Sequence, residues 1–501
     1  MRKSNIYKSA IVGLLEEIVS IVSGFVLPRM ILSCFGSDYN GIIASVTQFI
    51  GCITLLKSGI GMATKAALYD PLYHNEKEKI EGIMSATMKF LRRVSYIFIV
   101  GIIVFACIYP FCLDENFSWG FTASLVLIVS LGTFFQYYFG LGNQLLLEAD
   151  QKYYIVAIIT IVNVFFSTII SVVCMKLGMS IHGVKLSSSI VYCSTPIILN
   201  CYVNKKYNLN RKADPDWNSI SKRWDAFGMQ IANFVNSNTD IIIVSLFLNM
   251  KEVSVYTIYY LVINGIKKIV VRLSTGVEAA LGNLKAESNS EKLKNNFLLF
   301  EFVLNFICSF MFSCLIILIV PFVNIYTKGI TDVNYTRIVF AIVACTAELF
   351  FCLRLAYTYM VQATGAFSET KQYFYIEAVI NIVFSVALVN YMGLVGVVIG
   401  TLIAMLYRTI VLAYFVYNKV IEVNFWHFVK GMATTIGSIT ICSYVGLPII
   451  LNLQINDYFQ WFEIAIVVGI FSIIATTMIR VLTDFIFMKK ITQMIIKRMK
   501  N

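Results

Sequence analysis

Four places in this 501-residue chain set a fixed cation inside an otherwise apolar run: Arg29, Lys57, the pair Lys267 and Lys268, and Arg272. A charge at mid-membrane depth costs roughly 2.5–3.5 kcal/mol on insertion scales, so such residues usually face a protein interior or an aqueous cavity. Lys268 and Arg272 are one helical turn apart and share a face. With Lys57 they would form a positive cluster whose natural ligand is an anion, and a phosphate or diphosphate suits several lysines and arginines. The competing explanation is a structural one: each cation pairs with a carboxylate such as Glu16, Glu17, Asp240 or Glu301, or snorkels to an interface, as favoured for Arg29. Asp240 sits beside Asn233, Asn236 and Asn238 in a polar stripe. That stripe suits ion pairing first, with Lys267 as a candidate partner, and an ion, proton or sugar contact second. Glu348, Arg354, Glu377 and Arg408 are further candidates for pairs between helices.

Other chemistries find little support. The three histidines, His74, His182 and His427, are widely separated, and the 12 cysteines lie mostly in apolar segments without paired spacing. They read as small core residues, so neither a metal site nor disulfides are expected, and no catalytic set emerges. No glycine-rich phosphate loop or nucleophile elbow is present, which argues against ATP-driven work by this chain alone. The net charge of +12 does not point to nucleic acid, because the basic residues gather in alternate loops.

The elements that carry these residues are membrane-spanning helices. At 58% hydrophobic and 14% charged, the chain is too apolar for a soluble protein of its size. A bilayer core needs roughly 20 helical residues, because a spanning helix satisfies its own backbone hydrogen bonds. On that measure about fourteen spans are expected. Six lie near 9–35, 39–63, 89–113, 119–147, 153–175 and 181–203. Six more lie near 223–249, 253–283, 295–326, 335–363, 371–391 and 394–418, and a last pair near 428–452 and 459–487. The fold class is therefore all-α and integral to a membrane.

Lysine and arginine placement puts both termini in the cytoplasm, with Lys205, Lys206, Arg211 and Lys212 inside and few cations outside. The expected organisation is a six-helix lobe over 1–204, a basic cytoplasmic linker over 205–222 and a second six-helix lobe over 223–420. Two extra helices over 421–488 and a basic tail over 489–501 complete it.

The two halves resemble each other. GIGMATKAALYDPL at 59–72 matches STGVEAALGNL at 274–284, pairing Gly61 with Gly276. The segment 145–167 parallels 361–385, with Lys152 near Lys371 and Asn163 near Asn381, and 176–189 parallels 390–403. Equivalent spans point the same way, so the repeat is a parallel one with its axis along the membrane normal. Lys57 then occupies the position in the first half that Arg272 occupies in the second, which random snorkelling would not require.

The stretch 39–94, from YNGIIASVTQF through LLKSGIGMATKAALYDP to MKFLRRV, resembles the signature region of bacterial polysaccharide flippases. These belong to the multidrug, oligosaccharidyl-lipid and polysaccharide exporter superfamily. NTDIIIVSLFLNMKEVSVYTIYY at 238–260 and NYMGLVGVVIGTLIA at 390–404 continue the resemblance along nearly the whole chain. It implies two six-helix bundles around a V-shaped, cationic central cavity, a further C-terminal helix pair, and alternating access. The implied cargo is a lipid-linked oligosaccharide carried from the cytoplasmic to the outer leaflet of the bacterial inner membrane. The expected partners are an undecaprenyl-diphosphate-linked glycan, membrane lipids and the polysaccharide polymerase machinery. No cofactor is expected beyond proton or sodium coupling. The family's cavity cations fall on Arg29, Lys57 and one or more of Lys267, Lys268 and Arg272. The span-two cation is lysine here, a point charge without the arginine fork. The alternatives are a lipid II or teichoic-type flippase, a drug exporter of the same superfamily, or a membrane polymerase or ligase.

Overall fold

A computed structural model describes residues 2–54, 58–113, 117–210, 213–220, 238–274, 277–286, 290–453 and 455–485. The described residues are helical and loop, with no strand. Among the described residues eleven helices are long and apolar enough to cross a membrane, and the chain is a multi-pass membrane protein. It divides into two compact units, Met1–Ser254 and Val255–Asn501.

The first unit holds α1 (Arg2–Phe35), α2 (Ser37–Thr54), α3 (Ser58–His74), α4 (Lys77–Ile108), α5 (Trp119–Phe135), α6 (Leu141–Ala149), α7 (Tyr153–Lys176) and α8 (Ile181–Tyr207). A short apolar helix, α9 (Asn238–Phe247), follows. α10 (Met250–Leu273) opens in this unit and continues into the second. Gly36 joins α1 to α2 with φ of 90°, a left-handed conformation that a Cβ would resist. The core gathers Ile60, Leu68, Ile83, Leu91, Leu146 and Leu199.

The stretch after α8 packs onto α4. Ser85 donates to the carbonyl of Ala213 at 2.7 Å, and the Asp216 amide donates to the carbonyl of Gly82 at 3.0 Å. The Ser219 hydroxyl donates to Asp216 at 2.5 Å, and this bond holds the exposed Asp216 carboxyl below its usual range.

The second unit continues with α11 (Val277–Ala286), α12 (Ser290–Tyr326), α13 (Ile338–Thr364), α14 (Phe367–Met392), α15 (Leu394–Phe415), α16 (Trp426–Asn452) and α17 (Tyr458–Thr483). α14 and α15 approach each other closely. A Cβ on Gly400 would lie 2.3 Å from Ser385 Oγ and 2.5 Å from Ser385 N, and one on Gly396 would lie 2.4 Å from the carbonyl oxygen of Leu388. Lipid gives helices no hydrophobic reason to associate, so close backbone approach through small residues is what holds such a pair. Gly400→Ala is expected to destabilise the fold by about 1–3 kcal/mol through overpacking. Gly437→Ala, where no atom lies within 4 Å, is the matched control. Thermal unfolding in detergent checks the difference.

One expected span is corrected. A single span over 253–283 was expected, but α10 ends at Leu273 and a separate helix begins at Val277. The Ser274 amide bonds both Val270 and Val271 carbonyls, at 3.1 and 3.2 Å, and its hydroxyl bonds Val270 at 3.0 Å, which closes the helix there. α2 and α3 flank residues 55–57 of the span expected at 39–63, which lie outside the described residues. Residues 223–237 of the seventh expected span also lie outside them.

The asparagines that the internal repeat pairs make matching bonds within their own units. Asn163 of α7 donates to Thr195 of α8 at 2.6 Å, and Asn381 of α14 donates to Thr401 of α15 at 2.9 Å. A buried amide between neighbouring spans must find a partner. Both halves meet that need with a threonine on the following helix.

Candidate functional site

α10 carries three of the five candidate cations and treats them differently. Lys267 lies 2.8 Å from Glu348 of α13 and sits 3.8 Å from the centre of the Phe351 ring. Its charge is answered inside the second unit, by a carboxylate other than the Asp240 considered above. Lys268 and Arg272 are exposed. Arg272 has no ion pair among the described residues. It stands in the last turn of α10, where the helix end carries partial negative charge and favours a cation.

In the first unit Arg29 is half-buried on α1, one residue after Pro28. Asp240 of α9 is buried, at 7% exposure. Glu17 is exposed, whereas Glu16 accepts a hydrogen bond from Tyr153 of α7 at 2.7 Å. Lys57 lies outside the described residues, between Thr54 at the end of α2 and Ser58 at the start of α3.

No family model matches the chain, and no curated protein matches it at a significant level. Solved structures do. A structure of the lipid II flippase MurJ in an inward closed conformation matches with TM-score 0.69 and 16% identity, over 94% of this chain and 98% of that one. An inward-facing MATE multidrug transporter of the MOP superfamily matches with TM-score 0.57 and 14% identity, over 85% and 98%. The fold is that of these transporters. A MOP superfamily transporter from Pyrococcus furiosus, described as having a binding pocket of reversed polarity, matches with TM-score 0.51 and 15% identity, over 86% and 96%.

Within this transporter fold the second unit buries more charge than the sequence assigned to any site. Glu377 of α14, 1% exposed, takes Arg354 of α13 on one oxygen at 2.5 Å and Arg408 of α15 on the other at 2.6 Å. Arg408 also lies over the Phe374 ring at 3.9 Å. One carboxylate between two guanidiniums leaves this three-residue cluster with a net positive charge. Glu301, read above as a partner for a cation, instead accepts from Tyr357 and Tyr417, each at 2.5 Å.

Lys185, four residues into α8, escaped the sequence reading. It is half-buried and has no ion pair among the described residues. Its place in KLGMSIHGVKLSSS, where a loop meets a span, masks it as an interfacial residue. The cysteine reading is corrected in part. Cys308, Cys345, Cys352 and Cys442 are buried as expected, whereas Cys34, Cys107 and Cys201 are exposed.

Proposed function

We propose that the chain is a flippase, and not an enzyme, that moves a polyprenyl-diphosphate-linked oligosaccharide from the cytoplasmic to the outer leaflet by alternating access. The observation that carries this reading is the end of α10. Arg272, a cation without an ion pair among the described residues, lies in the final turn of a helix that stops inside an otherwise apolar stretch. A helix interrupted within a span is a general mark of a transporter's binding site. The corresponding position of the first half holds Lys57. Transporters of this fold supply the architecture, and Arg29, Lys57, Lys268 and Arg272 supply the chemistry of an anion site. The charge of Lys267 is paired with Glu348.

The likeness to a lipid II flippase favours a second reading with the same chemistry at the phosphates, in which the cargo is a lipid II-type glycan. A comparison of ligands tests both. The purified protein is expected to bind undecaprenyl diphosphate at least about tenfold more tightly than undecaprenol, since charge-assisted bonds to the phosphates add roughly 1.5–3 kcal/mol. Arg272→Ala is expected to remove most of that preference. Equal affinity for the two lipids contradicts an anion site. Competition between lipid II and an unrelated lipid-linked oligosaccharide separates the two readings.

A further inference from the structure

Glu301 lies in a nest of polar groups that the transport reading does not use. It is 4% exposed on α12, and no basic group lies within ion-pairing distance of it among the described residues. Only two phenols answer it, Tyr357 from α13 and Tyr417 from the turn that follows α15. Beside it is a cavity of about 20 Å³ that Glu301, Asn305, His427, Lys430, Arg480 and Asp484 help to line. That is room for one water, which needs roughly 10–15 Å³ and two or more polar partners. Arg480 of α17 is 1% exposed, and its Nε has no hydrogen-bond partner among the described residues. Its other nitrogens reach Thr435 at 2.6 Å and Asp484 at 3.4 Å. Lys430 of α16, half exposed at 48%, closes the nest on Asp484 at 3.0 Å.

We propose that Glu301 is a proton-binding site of the second unit, reached from water past Lys430 through this cavity. A carboxylate that no cation pairs directly among the described residues is an expensive charge inside a membrane bundle, and residues of that kind commonly relay protons. A proton arrives by way of a water in the cavity that also accepts from Arg480 Nε, and it binds a Glu301 oxygen. The new carboxyl O–H donates to the Tyr417 oxygen, and the Tyr417 hydrogen turns away from Glu301. No other bond forms or breaks.

The groups that face Glu301 are the two phenols on the α13 and α15 side, His427 and Lys430 of α16, and Arg480 and Asp484 of α17. The charged groups of α11, Glu278 and Lys285, do not line the cavity. With His427 neutral, Glu301 and Asp484 balance Lys430 and Arg480. The bound proton leaves the nest with one net positive charge, exactly where α16 and α17 join α12. Proton occupancy therefore sets how firmly the last two helices are held. The inference extends the transport reading by naming its coupling ion.

Infrared difference spectra between neutral and acidic pH on the purified full chain test it without any cargo. The wild type is expected to show a protonated-carboxyl band that Glu301→Gln lacks. The Y357F/Y417F pair keeps the band but displaces its midpoint by about one pH unit or more, because each phenol contributes a bond to a charged acceptor. An identical band in the wild type and Glu301→Gln overturns the proposal. If Glu301→Gln does not fold, an unmoved midpoint in the tyrosine pair overturns it. In proteoliposomes, transport by Glu301→Gln is expected to lose its response to an imposed pH gradient. A normal band in a wild type that moves no lipid-linked glycan refutes the transport reading and leaves the proton site standing.

Discussion

Cells that carry Lys57→Ala together with Arg272→Ala are expected to lose surface glycan and to accumulate its lipid-linked precursor. Each single change is expected to lower export by about tenfold, the equivalent of one charge-assisted bond of roughly 1.5 kcal/mol to a phosphate oxygen. The double change removes the matched cation from each half of the repeat and is expected to reach background. Lys57→Arg is expected to keep or raise activity, because a guanidinium adds a planar fork that grips a diphosphate at two oxygens. Lys267→Ala, by contrast, leaves Glu348 buried without its cation 2.8 Å away. Its main effect is expected on stability, read as protein level and melting temperature. Export at the wild-type level from the Lys57 and Arg272 double variant contradicts an anion site at these positions.

Glu377→Ala is expected to be among the most destabilising single changes in the second unit. It strands Arg354 and Arg408, which approach the same carboxylate at 2.5 and 2.6 Å with side chains 6% and 11% exposed. Removing one partner of a buried ion pair costs about 3–5 kcal/mol, because the remaining charge stays desolvated. Here two charges of the same sign remain. Replacing all three residues with apolar ones of similar size is expected to cost less than Glu377→Ala alone. Melting temperatures in detergent order the variants. A Glu377→Ala protein as stable as the wild type shows that the two guanidiniums find other partners.

The membrane class was legible because it follows from apolar length, and eleven of the expected spans reappear as helices of sufficient length. The repeat was legible at polar positions. Asn163 and Asn381, paired by alignment, each bond a threonine on the next helix. What escaped the sequence depends on distant partners. Hydropathy runs smoothly through Leu273, so the end of α10 became visible only when Ser274 was seen folding its hydrogen bonds back on Val270 and Val271. Lys267 meets a glutamate on a helix three elements later, and no spacing rule connects them. Gly396 and Gly400 did carry a local signal, two small residues one turn apart in a span, which marks close helix approach. Glu301 was visible as a buried charge, but its phenol donors come from two other parts of the chain.

The most direct test of the central claim is a translocation assay with the purified protein in liposomes that hold a polyprenyl-diphosphate-linked oligosaccharide on one face. An impermeant lectin or glycosidase reports how much glycan reaches the other face. The wild type is expected to expose the glycan well above the rate of empty liposomes, and the Lys57→Ala, Arg272→Ala protein is expected not to. Equal exposure by wild type, double variant and empty liposomes would contradict the account.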